Sequence, residues 1–186
     1  MAQPEIKNIT VLGAGTMGAA ITQFFASKGF PVSLYSRTEE TLQKALSMIR
    51  DNLSMLAGLK SGEVESPEDV LHRIRTFTEI KLASAAADWV IETVSENREV
   101  KKQVLETAEK YAPAHAYLTS DTSALNIFEF LETSRPDRVM ITHFFNPASI
   151  MPLVELVPGP NTSQATVETL KLFLESSGKQ PIVLKE

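Results

Sequence analysis

Cysteine is missing from all 186 residues, which excludes disulfides, thiolate metal ligands and a cysteine nucleophile. Histidine is scarce. Only His72, His115 and His143 occur, scattered without the spacing a metal site requires, so no metal is expected. An excess of positive charge is also lacking: 18 Lys and Arg stand against 23 Asp and Glu, a net charge of −5. A nucleic-acid partner normally needs a basic surface, so none is expected. No apolar run approaches the length that crosses a bilayer, and Met1-Ala2-Gln3-Pro4-Glu5 lacks the basic and apolar regions of a signal peptide. The expectation is a cytoplasmic chain without a membrane partner. What remains is an ordinary globular composition, 43% hydrophobic, long enough for one domain with a full core.

Glycine is sparse too, eight in all, yet three fall in Gly13-Ala14-Gly15-Thr16-Met17-Gly18. This stretch follows the apolar run Ile9-Thr10-Val11-Leu12 and opens a segment of helical periodicity. In that context the first glycine permits the tight turn, the second lets backbone approach a pyrophosphate, and the third lets the helix pack on the sheet. The helix N-terminus then offers free N–H groups and partial positive charge to the phosphates. A glycine-rich turn without a ligand is the plainer alternative.

Along the chain, short β-branched runs alternate with helical segments, the pattern of a parallel sheet covered on both faces. Strands are expected at 8–12, 31–35, 76–78, 89–92, 116–120, 139–144, 153–157 and 182–184. Helices are expected at 16–28, 39–56, 67–74, 97–111, 126–131 and 162–176, with Ser66 as an N-cap and Gly29 and Gly178 as stops. Lys60-Ser61-Gly62 reads as a loop. The fold class is α/β, a doubly wound, mostly parallel sheet in one domain over residues 1–186.

An acidic residue about 20 positions after the first glycine usually bonds the adenosine ribose. Here Tyr35-Ser36-Arg37-Thr38 occupies that place, with no carboxylate before Glu39. A neutral Ser36 and a guanidinium at Arg37 lean toward NADP over NAD.

His143 ends an expected strand, where ligands bind in open α/β sheets. Glu155 stands inside Met151-Pro152-Leu153-Val154-Glu155-Leu156-Val157. A carboxylate among apolar neighbours is costly to bury unpaired. If the two runs lie side by side, Glu155 accepts the ring N–H of His143 and fixes its orientation. A histidine so held can remove a hydroxyl proton while a hydride leaves the same carbon for nicotinamide. A purely structural pair is the alternative.

The glycine motif, Ser120-Asp121-Thr122-Ser123-Ala124-Leu125, His143-Phe144-Phe145-Asn146-Pro147 and Met151-Pro152-Leu153-Val154-Glu155 together resemble the L-3-hydroxyacyl-CoA dehydrogenase family, over essentially the whole chain. The His-Phe-Phe-Asn-Pro run is more similar to this family than to the related gulonate and carnitine dehydrogenases. The resemblance implies the family's N-terminal Rossmann-type NAD-binding domain, an acyl-CoA substrate, His143 as general base and Glu155 as its partner. It implies Ser123 on the reacting oxygen near the nicotinamide, and Asn146 on the nicotinamide ribose or substrate carbonyl. Glu96 and Lys101 match contacts to the dinucleotide, and Lys60 with the long helix matches the coenzyme A region. Two positions depart from the family: Ser36 and Asp121 stand where aspartate and asparagine are usual. The family also continues into a helical C-terminal domain that supplies dimer contacts and part of the substrate cleft. A chain without it is expected to bind nucleotide and turn over poorly. A dehydrogenase for sugar acids or carnitine-like substrates, and a nucleotide-binding module without full catalysis, stay open.

Overall fold

The computed structural model describes residues 6–59 and 65–184; the loop reading at 60–62 and the coenzyme A contact assigned to Lys60 lie outside them. Eight strands form one sheet: β1 (Ile9–Leu12), β2 (Val32–Tyr35), β3 (Ile74–Phe77), β4 (Trp89–Glu92), β5 (Tyr117–Ser120), β6 (Val139–Phe144), β7 (Leu153–Pro158) and β8 (Gln180–Val183). Their order is β3-β2-β1-β4-β5-β6-β7-β8. Every pair is parallel except β6 with β7, which is antiparallel. The chain runs outward from β1 to β3, then returns to β4 on the other side of β1. That reversal opens a crevice at the C-terminal ends of β1 and β4, where such sheets take ligands.

Among the described residues six α-helices cover the sheet: α1 (Thr16–Ser27), α2 (Glu39–Leu59), α3 (Pro67–Leu71), α4 (Ile80–Ser84), α5 (Arg98–Tyr111) and α6 (Gln164–Ser176). Because side chains alternate across a strand, the strands from β1 to β7 feed two cores. Val11, Leu34, Trp89, Ile91 and Phe144 pack with Phe25 of α1, Leu42 of α2 and Leu170 of α6. Leu12, Val90, Leu118 and Ile141 pack with Ala83 of α4 and with Val104 and Ala108 of α5. Fully burying a large apolar side chain stabilises by about 1.5–3 kcal/mol, so these continuous apolar runs fix the layer order.

The caps follow the sequence. Ser66, Asn97 and Ser163 accept the N–H groups of Asp69, Val100 and Thr166 at 3.1, 3.0 and 3.1 Å. Several expectations need correction. The helix expected to reach Ile74 stops at Leu71, and β3 takes Ile74–Phe77 instead of 76–78. The helix α4 over Ile80–Ser84 was not among the expected elements. The helix expected at 126–131 is a 3-10 turn over Ile127–Glu129, because the Asn126 side chain caps it at Phe128 N. The last strand starts at Gln180, paired with Leu153.

Candidate active site

The glycine stretch has the geometry of a phosphate cradle. Gly13 has φ +121°, and a Cβ there would sit 2.8 Å from the Thr93 carbonyl oxygen. At Gly18 a Cβ would fall 1.8 Å from the Gly13 carbonyl oxygen, so only glycine lets α1 start this close to β1. Gly15 differs: a Cβ there would meet nothing within 4 Å. Its backbone borders open space, which is what a pyrophosphate lying against it requires. Thr16 is exposed, and Met17 is half-buried against the core.

A groove of about 450 Å³ runs from this cradle across the ends of β1, β2 and β4, between Gly13, Ala14 and Gly15, the segment Tyr35 to Thr38, and Thr93 to Ser95. Val100 and Val104 of α5 form an apolar wall suited to a nucleobase. Ser36 and Arg37 both line it. These residues fit the adenosine half of a dinucleotide.

Further along the same sheet edge, His143 and Glu155 stand directly opposite each other in the β6–β7 ladder. His143 Nδ1 lies 2.9 Å from Glu155 Oε2. An ionised carboxylate only accepts, so Nδ1 is the donor in this contact, and in a neutral imidazole so held the lone pair falls on Nε2. The Phe145 ring sits 4.7 Å from the imidazole centroid. Asn146 follows, exposed, with a cis bond to Pro147. Lys179 holds the next turn: its buried ammonium donates to the carbonyls of Ala148 and Met151 at 2.5 and 2.7 Å and lies 3.9 Å from the Phe24 ring centroid. Burial, aided by Lys28, brings this lysine down to about 8.

Ser123 is exposed after β5, the strand neighbouring β6, and lines a cavity of about 440 Å³ with Leu125, Phe128, Ile141 and Val157. Its loop is shaped by Glu96, whose carboxylate accepts the Thr122 hydroxyl and, at 3.2 Å, the Ala124 N–H. Burial alone would raise Glu96, but the Thr122 hydroxyl, Lys101 and the Ala124 N–H together hold it below the usual carboxylate range. Neither Ser123 nor Asn146 bonds His143 among the described residues.

Lys101 is buried, not laid along the groove: its ammonium sits 3.0 Å from Glu92 and 3.2 Å from Glu96. Glu92, fully buried at the end of β4, also accepts Ser120 Oγ at 2.5 Å and Val94 N at 2.6 Å. Burial pushes the Glu92 carboxyl up despite these partners. Sequence reasoning missed this knot. Its signal was a glutamate closing the otherwise apolar strand Trp89-Val90-Ile91. It also missed Thr38, Thr41 and Thr93 as groove residues, and the hold of Asp121 on the end of β6.

The family "3-hydroxyacyl-CoA dehydrogenase, NAD binding domain" matches residues 8–186. The human mitochondrial hydroxyacyl-coenzyme A dehydrogenase is 37% identical over 97% of this chain and 60% of its own length. The 3-hydroxyadipyl-CoA dehydrogenase of Escherichia coli is 39% identical over 96% of this chain and 38% of its own. Among solved structures, (S)-3-hydroxybutyryl-CoA dehydrogenase from Ralstonia eutropha superposes with a TM-score of 0.90 at 30% identity, covering 98% of this chain and 64% of that one. The chain thus spans about 60% of the length of its mammalian relatives.

Proposed function

We propose that this chain, which belongs to the 3-hydroxyacyl-CoA dehydrogenase family as its NAD-binding domain, holds the nucleotide and the proton-transfer machinery of an oxidoreductase interconverting 3-hydroxyacyl-CoA and 3-oxoacyl-CoA. The carrying observation is the 2.9 Å contact between His143 Nδ1 and Glu155 Oε2 on the sheet edge that also carries the glycine cradle. A nicotinamide held by the glycine cradle and its groove would supply the hydride acceptor. His143 Nε2 takes the proton of the substrate hydroxyl, and Glu155 keeps the ring in the tautomer that leaves Nε2 basic. Ser123 and Asn146 donate to the reacting oxygen, so charge developing there meets fixed donors. Glu96 orders the Ser123 loop, and Lys101 orders Glu96.

The test is steady-state reduction of acetoacetyl-CoA by the intact protein. His143→Ala should cost roughly 10²–10⁴ in kcat while nucleotide affinity stays within twofold. Retained turnover would remove His143 from the mechanism. Equal turnover of free acetoacetate would argue for an unactivated hydroxy acid as substrate. A chain that binds nucleotide but never reduces either compound would point to a binding module.

A further inference from the structure

We infer that the adenosine end of the groove is built to receive a 2′-phosphate, so that this chain takes NADP in preference to NAD. This rests on the dinucleotide reading of the groove and goes beyond it by naming which dinucleotide. Three observations carry it. The first is the end of β2. Tyr35 pairs with Leu12 and Phe77, and the N–H of Ser36 donates to the Phe77 carbonyl at 3.1 Å. Ser36 is therefore fixed at the position from which a carboxylate would accept both ribose hydroxyls. A hydroxyl there neither demands a free 2′-OH nor repels a phosphate, as a carboxylate would.

The second is the charge inventory. Among the described residues, no aspartate or glutamate lines the groove. The nearest acids along the chain, Glu39 and Glu40, are taken up within the first turns of α2: Glu39 accepts from Gln43 at 2.7 Å and Glu40 pairs with Lys44 at 2.6 Å.

The third is the donor set. Arg37 lines the groove and is exposed, and among the described residues it makes no ion pair or side-chain hydrogen bond. A guanidinium presents paired N–H donors that match phosphate oxygens. Beside it, the hydroxyls of Thr38 and Thr41, both lining the groove, lie 2.8 Å apart. Ser36, Arg37, Thr38 and Thr41 thus line one groove with three hydroxyls and a guanidinium, and among the described residues no carboxylate lines it with them.

Calorimetric titration of the chain with NAD⁺, NADP⁺, 5′-AMP and 2′,5′-ADP tests this without any turnover. NADP⁺ should bind at least tenfold tighter than NAD⁺, and 2′,5′-ADP tighter than 5′-AMP by a similar factor. Arg37→Ala should weaken NADP⁺ about tenfold or more while NAD⁺ moves less than threefold, and Ser36→Asp should reverse the preference. Equal or tighter binding of NAD⁺, or an Arg37→Ala loss shared by both nucleotides, overturns the inference and leaves the dinucleotide site standing. Failure of both nucleotides to bind a folded chain overturns the dinucleotide reading itself.

Discussion

Asp121 shows how one residue can tie acidity to site geometry. Its Oδ1 accepts the N–H of Phe144 at 2.8 Å, and its own N–H donates to the Glu92 carbonyl at 2.8 Å. It therefore pins the strand end that carries His143. Burial, with Glu92 and Glu96 adding to it, raises its carboxyl to about 7 against the opposing pull of the Phe144 N–H and Lys101. An unfolded aspartate titrates near 3.9, so between about pH 4 and 7 the folded chain binds more protons than the unfolded one. Stability drawn from this group is complete below pH 4 and is lost as pH rises to about 7. Asp121→Asn keeps the acceptor and removes the charge, and it should hold its stability over that range. By pH 8 it should exceed the parent by roughly 2–4 kcal/mol, measured by urea unfolding at successive pH values. Parallel pH curves for the two proteins would show that Asp121 is ionised throughout. The sequence displayed Asp121 as a departure from the family. It could not display the titration, which comes first from a burial that only the folded chain creates.

At the scale of elements, the Glu92–Lys101 knot joins the end of β4 to α5. Lys101→Ala would strand a buried carboxylate, a change that typically costs about 3–5 kcal/mol. For a chain of this size that is a fall in Tm of roughly 6–20 °C. The loss should appear without nucleotide, and adding Glu92→Gln should recover part of it, since the two changes share one interaction. A Lys101→Ala chain that melts like the parent would return Lys101 to the role of a simple nucleotide contact. The same scale shows what was legible in the chain. β4 and β6 were read to their boundaries because continuous apolar runs allow little else, and the cap at Ser66 announces itself by residue type; Asn97 and Ser163, enclosed in the helices expected at 97–111 and 162–176, are N-caps instead. β3 was misplaced because Ile74-Arg75-Thr76-Phe77 is short and only partly buried, so its register comes from pairing with β2 and not from its own pattern. The His143–Glu155 contact was legible as a pair of chemistries. The antiparallel turn that makes it is a matter of sheet topology.

Across the whole molecule, the groove draws on the ends of β1, β2 and β4 together with α5, all held by the two cores that flank the sheet. Nucleotide binding should therefore be a property of this chain by itself, with the free energy of binding added to that of folding. At a hundredfold excess over Kd the preferred nucleotide should stabilise the fold by about 2.7 kcal/mol, which for 186 residues is a rise in Tm of roughly 5–11 °C. Gly15→Val provides the matched control. A Cβ at Gly15 would meet nothing within 4 Å, so the unliganded fold should melt close to the parent, while the side chain occupies the place of the pyrophosphate and should abolish the ligand-dependent rise. A full rise in the Gly15→Val chain would mean that the nucleotide lies elsewhere on the sheet, and His143 would then face no nicotinamide.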